Sequence, residues 1–94
     1  MTTYPIVDVI IPAYNEGLSI GKVVRAIPKG LVRNIIVCNN NSTDDTSIRA
    51  MEAGAIVVDQ PIRGYGNACL AGMKLISDLT ESAHPEIVVF MDGD

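Results

Sequence analysis

Tryptophan is absent from this 94-residue chain, and one phenylalanine and three tyrosines are its whole aromatic content. The core must therefore be aliphatic. Mean hydropathy is nevertheless +0.28, with 48% hydrophobic residues, which excludes a disordered chain. Histidine occurs once, as His84, and cysteine twice, as Cys38 and Cys69, with no CxxC spacing. A metal–thiolate site is not expected on that count, and both cysteines read as buried reduced thiols. Lysine and arginine number seven against eleven acidic residues, scattered along the chain, for a net charge of -4. A phosphate-tracking face is missing, so nucleic acid is not an expected partner. No apolar run approaches the roughly 18 residues that cross a bilayer, and the first stretch lacks a basic leader and is cut by Asp8 and Pro12. The expectation is a cytoplasmic chain.

What is present is a single small unit whose folding hides roughly 64% of the extended surface, enough for one thin core. Four β-branched runs of strand length are bounded by turn residues: Ile6 to Ile11, Asn34 to Cys38, Ala55 to Val58 and Ile87 to Met91. All four are apolar on both faces. Three helical segments lie between them. The first places Leu18, Val23, Val24 and Ile27 on one side before Pro28 and Gly30 close it. The second has Ser42 or Thr43 as N-cap, Asp44 and Asp45 in its first turn, Ile48 and Met51 facing inward and Gly54 as its stop. The third runs from near Gly66 to about Glu81, with Leu70, Met73, Leu75, Ile76 and Leu79 as its apolar side. His84, beside Pro85 in a polar connection, is expected to be exposed and inert.

The order β-α-β-α-β-α-β with continuously apolar strands calls for an α/β fold, a Rossmann-like parallel sheet with helices on both faces. Ligands of such sheets bind beyond the carboxyl ends of the strands, where the strand order reverses. Three of the four exits are unusual. The first is Pro12-Ala13-Tyr14-Asn15-Glu16-Gly17, a proline-fixed turn with an aromatic ring for a base or ribose and a carboxylate for ribose hydroxyls. The second, Asn39 to Thr46, offers amides that both donate and accept at the edge of a base. The last, Asp92-Gly93-Asp94, has two carboxylates that can turn toward one hard cation. Gly64-Tyr65-Gly66 is not a dinucleotide fingerprint, because it does not follow the first strand and Cys69 fills the third glycine position.

The successive segments VIIPAYNEG, IIVCNNNSTDDT, RGYGNACLAGM and VVFMDGD resemble the N-terminal motifs of family-2 glycosyltransferases with the GT-A fold. They are most like the branch of polyprenyl or dolichyl phosphate mannose and glucose synthases. By that resemblance Pro12, Ala13, Tyr14 and Glu16 line the base and ribose pocket, and Asn40 takes the place of the family's usual base-binding Asp. Asp92 and Asp94 are the DxD pair, Asp92 on the ribose and metal side and Asp94 on the Mg or Mn ion of the sugar diphosphate. Arg63 matches the segment that shapes the donor site. The resemblance implies an inverting, metal-dependent transfer of a hexose from a UDP- or GDP-sugar to an acceptor such as a polyprenyl phosphate, with the full-length enzyme at the cytoplasmic face of a membrane. It further implies that residues 1–94 are the nucleotide-sugar-binding half of a domain cut after the DxD motif, with the acceptor half and the general base beyond residue 94. The alternative is a non-catalytic nucleotide-binding fragment or interaction module. A sugar-nucleotide pyrophosphorylase is disfavoured, since Pro12 to Gly17 is not a glycine-rich phosphate loop.

Overall fold

The computed structural model describes residues 4–94. Strand β1 spans Val7–Ala13, β2 Asn34–Asn39, β3 Ile56–Asp59 and β4 Ile87–Phe90; helix α1 spans Ile20–Ala26, α2 Thr46–Glu52 and α3 Tyr65–Ser77, with one 3-10 turn at Glu81–Ala83. All strand pairings are parallel, in the order β3-β2-β1-β4. The chain therefore winds outward from β1 to β3 and returns through α3 to the opposite side of β1. The reversal of direction lies between β1 and β4.

Alternation along the two central strands sorts the core into two layers. Val9, Ile11, Ala13, Ile35 and Val37 pack against Ile20, Val24 and Ile27 of the α1 region and Ala50 of α2. Ile10, Ile36 and Cys38 face the other way, onto Ala68 and Ile76 of α3. Helices cover both faces, as the strand composition requires. At the amino end of the sheet the buried carboxylate of Asp8 accepts two hydrogen bonds from Arg33, Nε at 3.1 Å and Nη2 at 2.7 Å, and a third from the Asn34 N–H at 3.1 Å. That pair is far from the strand exits and is fully satisfied where it stands.

Pro12 has a specific effect on the sheet. The carbonyls of Ile6 and Ile10 accept the N–H groups of Ile87 and Met91, so alternate residues of β1 bond toward β4. Pro12 is next in that series and has no N–H to offer. The β1–β4 ladder ends there, and Pro12 lines the cleft at the reversal point.

The strands begin and end within about one or two residues of the sequence expectation, but the inner faces of the helices differ from it. Leu18 precedes α1 and is 93% exposed, and α1 packs through Ile20, Gly21 and Val24. Ile48 and Met51 are exposed, while α2 is buried through Thr46 and Ala50. Leu70 and Met73 are exposed as well, with Ala68, Gly72 and Ile76 buried in their stead. The physical reason is close approach. A Cβ on Gly72 would lie 2.8 Å from Ile10 Cγ2 and 3.0 Å from Cys38 Sγ, so only small residues fit where α3 meets the sheet. The N-cap of α2 is Asp45 and not Ser42 or Thr43, and α3 ends at Ser77, four residues before the expected end, with the 3-10 turn following at Glu81–Ala83. His84 is half-buried, its Nε2 hydrogen-bonded to the Leu79 carbonyl at 2.9 Å. Cys38 is buried and Cys69 partly so; burial, with Cys69 close by, pushes the Cys38 thiol up to about 11. The edge strands are less covered than expected, with Ile56, Ile87, Val89 and Phe90 exposed.

Candidate functional site

The exit of β1 is latched to the loop before α2 by a row of hydrogen bonds. The Asn15 N–H donates to Ser42 Oγ at 2.9 Å, and Asn15 Oδ1 accepts the Thr43 N–H at 2.8 Å. The Glu16 N–H donates to Thr46 Oγ1 and the Gly17 N–H to Asp44 Oδ2, both at 3.0 Å. Asn15 and Asn41 both adopt positive φ, at 51° and 63°, a conformation that asparagine tolerates better than most residues. A Cβ on Gly17 would collide with the carboxylates of Asp45 and Asp44, so the latch closes only over a glycine. Asp44 also accepts the N–H and hydroxyl of Thr46, and these bonds, the hydroxyl first, hold its carboxyl below the usual range. Ser42, Thr43, Asp44 and Thr46 thus fix the first exit, a role that helix capping alone did not suggest. The available signal was an excess of short polar side chains, from Asn39 to Thr46, over what one helix start requires.

The exit of β4 rests on the same loop. Gly93 is buried, and a Cβ there would be 3.2 Å from Glu16 Cγ. Ser19 Oγ donates to the Gly93 carbonyl at 2.8 Å and lies 3.4 Å from Glu16 Oε2. The backbone between Asp92 and Asp94 is therefore seated on Glu16 and Ser19, and both aspartates are exposed.

The third wall comes from the segment between β3 and α3. Asn40 is buried, and its side chain holds this segment: Nδ2 donates to the carbonyls of Gln60 at 2.9 Å and Ile62 at 2.8 Å, while Oδ1 accepts the Gly64 N–H at 2.9 Å. Gly64 has φ 129°, a conformation closed to side-chain-bearing residues. Held this way, Arg63 places its guanidinium 4.3 Å from the centroid of the Tyr14 ring, in cation–π contact.

Pro12, Ala13, Tyr14, Glu16, Asn40, Arg63, Asp92 and Asp94 all line one cleft of about 340 Å³, closed at its sides by Gly64, Tyr65, Ala68 and Gly93. All the site residues expected from sequence meet there. The Tyr65 phenol is raised above its ordinary range, first by its neighbour Cys69, then by desolvation and by Asp92. Ala68, inside the RGYGNACLAGM segment, lines the cleft although it was not among the expected site residues. A cleft of this size, at a strand-order reversal, is at the lower end of ligand pockets.

Residues 8–94 match the model of glycosyl transferase family 2. The chain belongs to this glycosyltransferase family. It is 41% identical over 88 residues to an uncharacterized glycosyltransferase of Mycobacterium tuberculosis, covering 94% of this chain and 36% of that protein. It is 38% identical to the glucosyl-3-phosphoglycerate synthase of Mycolicibacterium paratuberculosis, over 94% of this chain and 28% of that one. Among solved structures, the glucosyl-3-phosphoglycerate synthase of Mycobacterium tuberculosis in complex with Mn2+, UDP and glucosyl-3-phosphoglycerate superimposes with a TM-score of 0.77 at 36% identity, covering 96% of this chain and 34% of that one. The chain thus spans about a third of the length of these relatives. Its fold is the Rossmann-like α/β arrangement of GT-A glycosyltransferases.

Within this family-2 chain, the donor set at the cleft suits a hard divalent cation. Asp92 and Asp94 supply two carboxylates, and among the described residues no cluster of three or more His, Cys, Asp or Glu could hold an ion by itself. Mg or Mn is bound by oxygen, and Mg commonly uses one or two carboxylates together with phosphate oxygens and water. No helix among the described residues is long and apolar enough to cross a membrane.

Proposed function

We propose that this chain is the donor-binding part of a metal-dependent glycosyltransferase that moves a hexose from a UDP-sugar to a phosphate-bearing acceptor. The observation that carries this reading is the convergence of Tyr14, Glu16, Arg63, Asp92 and Asp94 on one cleft at the strand-order reversal. UDP is preferred over GDP because the solved relatives that superimpose on this chain hold UDP together with Mn2+ or Mg2+. The acceptor expected from sequence, a polyprenyl phosphate, and the phosphoglyceric acid held by a solved relative both carry phosphate. The acceptor site and the general base are assigned to residues outside these 94.

Each residue then has a distinct task. The Tyr14 ring gives the nucleoside a flat surface, and Glu16 accepts ribose hydroxyl protons. Asp92 and Asp94 hold Mg or Mn, which when bound neutralises charge on the departing diphosphate. Gly93 contributes by having no side chain, since its close contact with Glu16 keeps the carboxylates at the cleft wall.

Titration of the chain with UDP and GDP, in Mn2+ and in chelator, tests the proposal. Binding of UDP should require the metal and weaken by about tenfold or more in Asp94→Asn, since one contact to a charged group contributes about 1.5–3 kcal/mol. A folded chain that binds neither nucleotide, or binds UDP equally well with and without metal, sinks this reading.

A further inference from the structure

Asn40 stands at the end of β2, where its N–H continues the ladder to the Ala13 carbonyl at 2.8 Å. Asn40 is 7% exposed, and both amide donors and one lone pair of its oxygen are engaged by protein. Both amide hydrogens are donated to backbone carbonyls, of Gln60 and Ile62, and the amide oxygen accepts from Gly64. The two carbonyls and one N–H fix which end of the amide is which. A primary amide has only two donors, so none remains for a base. The segment so held has supports of its own: the Gln60 N–H donates to the Asn39 carbonyl at 2.9 Å, and the Ile62 N–H to Gln60 Oε1 at 3.0 Å. Asn67 Nδ2 donates to the Arg63 carbonyl at 3.0 Å, which fixes the residue whose guanidinium lies over Tyr14.

We propose that Asn40 is a positioning residue, a clamp that sets the Gln60–Gly64 segment and through it the Arg63 guanidinium over Tyr14, and that it donates no hydrogen bond to the nucleotide base. The proposal rests on the donor-cleft reading above for its consequence, but the clamp itself is a property of the chain alone. A carboxylate at this position would reverse the chemistry. Asp offers no donors, so the carbonyls of Gln60 and Ile62 would face negative oxygens and the anchoring by residue 40 would be lost. Uracil and cytosine differ at their hydrogen-bonding edges in the arrangement of donors and acceptors. A residue that donates to that edge shifts the preference between them when its donors are removed, whereas a clamp weakens both alike.

The experiment combines nucleotide affinities with amide exchange. UDP and CDP are titrated in Mn2+ into the wild-type chain, Asn40→Asp, Arg63→Gln and the double variant. Hydrogen exchange of the Gly64 amide is followed by NMR in the nucleotide-free wild type and single variants. Asn40→Asp should lower both affinities by the same factor, about tenfold, leaving the UDP-to-CDP ratio unchanged. The double variant should be no weaker than the weaker single variant, since both act through one contact. Gly64 should exchange at least about tenfold faster in Asn40→Asp and keep its protection in Arg63→Gln. A UDP-to-CDP ratio that moves by tenfold, a Gly64 amide that stays protected in Asn40→Asp, or fully additive losses would overturn the clamp. If Asn40→Asp does not fold, Arg63→Gln, altered only at an exposed side chain, decides: equal loss for UDP and CDP supports the proposal, and unchanged affinities refute it. A wild-type chain that binds no nucleotide would refute the donor-cleft reading, with the Gly64 exchange still deciding the clamp.

Discussion

Asp44 shows how much of the cleft depends on a residue that never lines it. Its carboxylate accepts from Gly17 N, Thr46 N and the Thr46 hydroxyl, and Thr46 in turn receives the Glu16 N–H. These bonds favour the charged form, so the folded-state pKa lies below the unfolded one. The contribution to stability is therefore complete above the ordinary carboxylate range, near 4, and is lost as pH falls through the folded value. Thermal melts of the wild type and Asp44→Asn, from pH 7 to pH 3, give the test. The wild type should melt higher at pH 7 to 5, and the gap should close below about pH 4, because protonation removes the charge that the variant never had. A gap constant across that range would show that the latch works by shape and not by charge.

Gly72 carries the corresponding argument for a helix. Replacing it with Ala adds a methyl against Ile10 and Cys38, both buried, at separations of 2.8 and 3.0 Å. Overpacking of that kind costs about 1–3 kcal/mol, against roughly 1 kcal/mol gained in helix propensity. The expected net loss is about 1 kcal/mol, or roughly 4–8 °C in Tm for a domain this small. Gly66→Ala is the control, since a Cβ there meets nothing within 4 Å, and it should melt no lower than wild type. Equal Tm values for Gly72→Ala and wild type would mean that α3 moves outward at no cost. The same glycine explains which parts of the fold were legible in sequence. The strands were, because a β-branched run between turns has few alternatives, and so were the strand exits, because proline, asparagine and the DxD pair are uncommon directly after such runs. The inner faces of the helices were not. A helix that rides close on a sheet buries Ala68 and Gly72 and leaves Leu70 and Met73 outside, so weighting a helical stripe by size selects the wrong side. The latch was hidden for another reason. Hydrogen bonds between residues 15–17 and 42–46 leave no periodic mark in either segment.

The sheet as a whole is covered unevenly. Parallel sheets ordinarily have both faces buried, yet the face of β4 beside α1 carries an open apolar groove of about 630 Å³ whose walls include Val7, Val9, Val23, Ile27, Val89 and Met91. Register places Val89 beside Val9, on the face that α1 covers further along, and Ile87, Val89 and Phe90 are all exposed. An edge strand with unpaired backbone groups and bare apolar side chains associates with whatever matches it. In solutions of this chain alone, the matching surface at hand is a second copy. Sedimentation velocity should show association that grows with concentration toward the order of 100 μM, the range where exposed edges and patches make proteins self-associate. Ile87→Lys, at the end of β4 away from Asp92 and Asp94, puts a charge on the bare face and should shift the distribution toward monomer while leaving metal-dependent nucleotide binding as it was. Wild-type chain that remains monomeric at that concentration would show that the net charge of -4 is sufficient to keep the bare face of β4 apart from its like.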